Sequence, residues 1–163
     1  MVIILIGVSG CGKTTIGIEL SKRVGCLFWD GDDFHPEANI EKMSSGIPLT
    51  EADRTSWLHT LRRKIEQCLD DGENLVLACS ALSRKSRNIL RENNEDVRFV
   101  YLRGSKELIK QRLRERKGHF MRSDMLDSQF DVLQEPDAAI VACITQSPQE
   151  IVAYISSELR LAL

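Results

Sequence analysis

The segment Gly7 to Thr14, GVSGCGKT, directly follows MVIILI, a start that is almost wholly apolar. Such a run bounded by glycine reads as a buried strand, and the Gly-rich turn leads into a helix at Lys13. The pattern G-x-x-x-x-G-K-[ST] marks a loop whose backbone N–H groups point inward and cradle phosphates. The helix N-terminus behind the loop adds roughly half a positive charge. Gly7, Gly10 and Gly12 let the backbone bend with positive φ and come close to a ligand. Ser9, Cys11 and Thr15 complete the candidate nucleotide site. Lys13 is placed to reach the β- and γ-phosphates, and the Thr14 hydroxyl to ligate Mg²⁺. A chain built around this loop is expected to bind a nucleoside triphosphate.

The remaining composition narrows the class. At 163 residues the chain is long enough for one substantial core, and residues 1–163 read as a single domain. Twenty-two basic and 24 acidic residues are mixed throughout, for a net charge of −2, so no nucleic-acid-binding surface is implied. The longest apolar run, MVIILIGV, is about half of what a membrane span needs and has no basic segment before it. The expectation is a cytoplasmic protein with no membrane partner. Its five cysteines are scattered, without a C-x-x-C pair or histidines at zinc-ligand spacing, and read as small apolar residues.

Strand-like runs recur at 2–7, 26–30, 74–79, 98–102 and 138–144, and helical patterns fall at 13–24, 51–71, 83–93, 105–116 and 148–160. This alternation, with continuously apolar strands, predicts an α/β fold: five parallel strands with helices on both faces, in three layers. Ligands bind such sheets at the carboxyl ends of the strands, so the residues just after each strand are the ones to inspect. Segments 31–50 and 117–137 break the alternation and are rich in Gly, Pro and charge, the composition of flaps over a site.

WDGDDFHP follows the second strand and brings Asp30, Asp32, Asp33 and His35 within six residues. Carboxylates crowded beside a phosphate loop repel one another unless a cation such as Mg²⁺ sits among them. Asp30 is best placed to hold Mg²⁺, Asp32 to orient and deprotonate an acceptor hydroxyl. Asp33 reads as a turn residue or helix cap, and His35 as a substrate contact. No acid ends the third or fourth strand and no N-K-x-D occurs, which disfavours motor-type ATPases and guanine recognition. Instead Ser80, Arg84 and Arg87 follow the third strand and Arg54 opens a helix on the same side, cations suited to an anionic acceptor. Arg112 and Arg116 stand one helical turn apart at the base of the second flap, where they can neutralise charge on a transferring phosphoryl group. His119, Phe120 and Met121 follow as a hinge plug.

These stretches resemble the gluconokinases, P-loop kinases related to shikimate and nucleoside-monophosphate kinases. The resemblance runs in order through GVSGCGKT, DGDDFHPEANIEKMSSGIPLTEADR with WL, CSAL with Arg84 and Arg87, FVYLRG, and RLRERKGHFMRSDMLDSQFDVLQEP. It covers most of residues 2–136. It implies transfer of the ATP γ-phosphate to the 6-hydroxyl of D-gluconate, a Mg²⁺ requirement, a closing lid at 117–137, an acceptor region at 31–60 and, by analogy, a homodimer. It also implies acceptor contacts from Asp32, His35, Arg54, Ser80, Arg87 and His119, and lid arginines at Arg112 and Arg116. After CSAL the chain departs from the usual family pattern, with Ser83, Ser86 and Asn88. That departure leaves another sugar acid open as the acceptor. Shikimate is disfavoured by FHPEANIEKM and GHFM, and a regulatory nucleotide switch by the set of Lys13, Asp32 and the lid arginines.

Overall fold

The computed structural model describes residues 1–115 and 123–161. Strand β1 (Val2–Ile6) is buried along its whole length because it lies at the centre of the sheet. It is flanked by β3 (Leu75–Ala78) and β4 (Val97–Arg103), with Ile4 in register with Leu77 on one side and Phe99 on the other. The outer strands are β2 (Leu27–Asp30) and β5 (Ile140–Cys143). All pairings among the described residues are parallel, in the order β2-β3-β1-β4-β5.

Strand alternation divides β1 between two cores. Ile4 and Ile6 pack with Trp57, Leu61 and Ile65 of α3 (Glu51–Asp70) and Leu90 of α4 (Arg84–Arg91). Ile3 and Leu5 face the other layer, meeting Ile16 and Leu20 of α1 (Lys13–Val24) and Ile151 and Ile155 of α7 (Pro148–Glu158). Each such aliphatic side chain, fully buried, contributes about 1.5–3 kcal/mol. Cys11, Cys68 and Cys79 are buried as apolar residues, and all five cysteines are free thiols. No helix among the described residues is long and apolar enough to cross a membrane.

The contact of α1 with β2 depends on a missing side chain. A Cβ at Gly17 would lie 2.3 Å from the Phe28 ring. Gly17→Ala is therefore expected to destabilise the protein by about 1–3 kcal/mol through overpacking, despite alanine's better helix propensity. Equilibrium urea unfolding measures this, and an unchanged midpoint would show that Phe28 repacks freely.

The segments that break the β/α alternation hold helices of their own. After β2 comes a 3-10 turn (Gly31–Phe34), then α2 (Glu37–Ser44). Lys42 of α2 pairs with Asp53 of α3 at 2.7 Å. Asp53 also closes a capping box with Thr50, and these partners, Lys42 first, hold its carboxyl down at about 2. Within 117–137, α6 (Ser123–Val132) buries Leu126 in the core and sets Asp127 3.0 Å from both Lys106 and Lys110 of α5 (Lys106–Glu115). Short helices that turn one face to a cleft carry little apolar periodicity, which is why sequence patterning does not reveal them.

Candidate active site

The carboxyl ends of β1, β2 and β3 open into a cleft of ≈ 780 Å³. The phosphate loop forms its floor, with Gly7, Gly10 and Gly12 at φ of +144°, +84° and +100°. Two of these glycines are also required by close approach. A Cβ on Gly7 would meet the Leu102 carbonyl oxygen at 3.1 Å, and one on Gly10 would meet Leu113 at 2.8 Å. Gly12 caps α1 without a side-chain hydrogen bond, so no side chain competes for the helix's first N–H groups. The Cys11 thiol is buried beneath the loop and pushed up by that burial, leaving its backbone as the part that can serve a ligand. Lys13 Nζ donates to the carbonyls of Gly7 at 2.9 Å and Val8 at 3.1 Å, bracing the loop across its mouth.

Thr14 and Asp30 meet beside this floor. Thr14 Oγ1 donates to Asp30 Oδ2 at 3.0 Å, on the open side of the cleft. Two hard oxygens from a helix N-terminus and a strand end fit the preference of Mg²⁺ for one or two protein oxygens plus phosphate and water. Asp30 Oδ1 also accepts from Asp32 N at 3.2 Å and caps the 3-10 turn. The capping role that the sequence suggests for Asp33 thus falls to Asp30, because the turn begins directly at the strand end. Asp33 itself is exposed and does not line the cleft.

Asp32, His35, Arg54 and Ser80 all line the cleft. The Asp32 carboxyl is pushed above the usual carboxylate range, first by desolvation and next by the Asp30 carboxylate, while His35 and Lys13 act against the shift. Its side chain is nonetheless 82 % exposed. Cleft walls displace bulk water around a carboxylate without covering its surface, which together with the Asp30 charge accounts for the upward direction. His35 is the reverse case: its side chain is 4 % exposed, and burial holds its pKa below the ordinary value. Gly31 permits this packing, since a Cβ there would lie 2.8 Å from the Ala78 carbonyl oxygen and 3.5 Å from the Trp57 ring. Arg54 Nη1 donates to the Leu49 carbonyl at 2.7 Å, which tethers the 45–50 loop to α3 at the cleft edge.

Arg87 is placed differently from the sequence expectation. It is buried, does not line the cleft, and uses Nη1 to hold the carbonyls of Ala81 at 3.0 Å and Leu82 at 2.9 Å. Ala81 turns through φ +37° after β3, and Arg87 supplies the donor that this turn needs. Ser83 caps α4 by accepting from Ser86 N, and Asn88 lies away from the cleft. Arg112 also lines the cleft, its Nη2 donating to the Ile144 carbonyl beyond β5. Thr15 and Ser9 line it beside the phosphate loop. Arg116 and His119, with Phe120 and Met121, lie outside the described residues.

Gln129 is a cleft residue that sequence reading does not single out. From α6 its Oε1 accepts from Ser9 N at 2.7 Å and its Nε2 donates to Ser9 Oγ at 3.2 Å. The segment expected to close over the site is thereby joined to the phosphate loop at two points. Its sequence signal is its place in SDMLDSQF, within the stretch that carries the family resemblance, on a helix too short to show a clear apolar face.

A parallel sheet with this loop, a carboxylate opposite it and an arginine from each flank defines a P-loop kinase of small molecules. The shikimate kinase family model matches residues 9–160. A probable gluconokinase of Xenopus tropicalis is 45 % identical over 85 % of this chain and 80 % of its own. The thermoresistant gluconokinase of Escherichia coli is 41 % identical over 92 % and 88 %. The crystal structure of a gluconokinase from Sinorhizobium meliloti superposes with a TM-score of 0.85 at 38 % identity, covering 97 % of this chain and 90 % of that one. The chain belongs to the shikimate kinase family of P-loop kinases and, within it, to the gluconokinases.

Proposed function

We propose that this protein transfers the γ-phosphoryl group of ATP to the 6-hydroxyl of D-gluconate, giving 6-phospho-D-gluconate and ADP. The observation that carries the reading is the cleft itself: Asp32, Lys13 and Arg54 face one space, in a chain of the gluconokinase family. In this reading the backbone from Gly7 to Thr15 holds the triphosphate, and Lys13 follows the charge that moves to the β–γ bridge and the γ-oxygens. Thr14 and Asp30 would hold Mg²⁺, which would neutralise phosphate charge when bound. Asp32 orients the terminal hydroxyl in line and takes its proton. Arg54, Ser80 and His35 contact the acceptor, and Arg87 acts through the 81–82 turn. Arg112 flanks the transferring group, joined by Arg116 and His119 when the 117–137 segment closes over the acceptor region at 31–60. Closure matters because water in the open site would compete with the sugar acid.

Ser83, Ser86 and Asn88 do not line the cleft, so the departure from the family pattern puts none of these three side chains among its walls. This favours gluconate over an altered acceptor. The test is ADP release from Mg·ATP with D-gluconate, beside shikimate, other aldonates and no acceptor. Stimulation by gluconate is expected. Stimulation by a different acid alone would overturn the substrate, and ATP binding without stimulation by any acceptor would overturn the transferase reading.

A further inference from the structure

His35 is held on every side. Its ring stacks on Trp57 with centroids 4.2 Å apart and planes 18° from parallel. Trp57 is itself fixed by donation from Nε1 to the Gly31 carbonyl at 2.8 Å. The His35 backbone N–H bonds to the Asp32 carbonyl at 3.3 Å. Behind the ring lies Asn39 of α2, only 2 % exposed. Its Nδ2 stands 3.2 Å from the Asp53 carbonyl oxygen and 3.3 Å from His35 Nδ1.

These two distances assign a proton. A backbone carbonyl only accepts, so the Asn39 atom facing Asp53 is the NH₂ nitrogen. The second hydrogen of that nitrogen points to His35 Nδ1, which must then accept and carry no proton. A neutral imidazole with a bare Nδ1 has its proton on Nε2. Nε2 is the atom that faces the cleft, 3.8 Å from Asp32 Oδ1. We infer that Asn39 is a positioning residue that fixes His35 as the Nε2–H tautomer, setting a hydrogen-bond donor beside the Asp32 carboxylate. The pair is then matched to one hydroxyl group, which donates its proton to Asp32 while accepting from Nε2–H. The 3.8 Å gap suits this, since an oxygen about 2.8 Å from each atom bridges it. With the opposite tautomer, a lone pair would face the carboxylate and the hydroxyl would lose its donor. Burial of the ring keeps it neutral in support of the same arrangement.

The assignment of the tautomer stands on geometry alone, whereas its use on an acceptor hydroxyl rests on the kinase reading above. The test is a long-range proton–nitrogen NMR spectrum of the full chain labelled with ¹⁵N-histidine at neutral pH. The chain has three histidines, and His35→Gln identifies the resonance by its loss. The wild type is expected to show His35 Nε2 as the protonated nitrogen and Nδ1 as the bare one. Asn39→Leu removes the donor at similar volume and is expected to mix the tautomers. Asn39→Asp places a carboxylate against Nδ1 and is expected to move the proton there. Both variants should lose on the order of tenfold or more in kcat, with the KM for ATP unchanged. A wild-type spectrum with Nδ1 protonated overturns the inference without any variant. So does an Asn39→Leu enzyme that keeps both the Nε2–H signature and full kcat. If the wild type shows no gluconate turnover, the kinase reading and the hydroxyl-matching half fall together, and the spectrum still decides the tautomer.

Discussion

Lys13→Ala is expected to lower kcat/KM on the order of 10³-fold, with the fold intact. Two separate contributions are removed. The first is the brace across the loop, where Nζ holds the Gly7 and Val8 carbonyls at 2.9 and 3.1 Å. Hydrogen bonds from a charged donor contribute about 1.5–3 kcal/mol each. The second, on the proposed function, is a positive charge beside the phosphates, an effect that grows as charge shifts toward the leaving oxygen. One preorganised charged donor of this kind contributes about 10²–10³-fold in rate. Substitution should therefore reduce kcat more than ATP affinity, because the helix N-terminus and the loop amides still bind the ground state. Steady-state kinetics beside calorimetric ATP titration separates the two, with circular dichroism as the check on folding. A loss that lies wholly in ATP affinity would make Lys13 a binding residue with no share in the transfer step.

The contrast between Lys13 and Gln129 shows where sequence reading works. The loop, Thr14, Asp30, Asp32 and His35 were legible because each depends on neighbours close in sequence, next to a strand whose end is marked by a run of apolar residues. Helix α1 starts and ends where its signals stand, at Gly12 and at Gly25, which takes φ +66° after the helix. Helices α2 and α6 carry no such signal. Ile40 and Met43 of α2 are 50 % and 40 % exposed, so apolar positions there do not report a buried face. Gln129 meets a loop 120 residues earlier in the chain, and no local pattern encodes that contact. Asn39 is the same problem at shorter range: an asparagine in a short helix reads as surface until α3 is laid over it. Arg87 shows the opposite case. Its place after β3 marks a cation near the strand ends, but nothing local in sequence says that the Ala81 turn claims part of the guanidinium.

Asp32→Asn should remove a base without removing a contact, so it separates chemistry from structure more cleanly than truncation. Turnover with gluconate is expected to fall by about 10²–10⁴-fold, the contribution of a positioned general base. The direction of the pKa shift gives the prediction a second edge. Desolvation and the Asp30 carboxylate raise the Asp32 carboxyl above its ordinary value. The acid limb of kcat/KM in the wild type should then lie above the usual carboxylate range, with activity lost as pH falls through that raised value. Stability carries the opposite sign. A folded-state pKa above the unfolded one means that the native protein holds the proton more tightly, so stability declines as pH rises between the two values. With its side chain 82 % exposed, the ionised Asp32 adds no stability to the fold at neutral pH, so the neutral amide should not weaken it. The variant should unfold at a denaturant concentration no lower than the wild type's while being nearly inactive. Such opposition between stability and activity is the signature of a group kept for its chemistry. Measuring kcat/KM across pH and the urea midpoint for both proteins tests each half. Full turnover in Asp32→Asn would remove the residue from the mechanism, and a marked fall in the midpoint would make its carboxylate a structural partner of His35 instead.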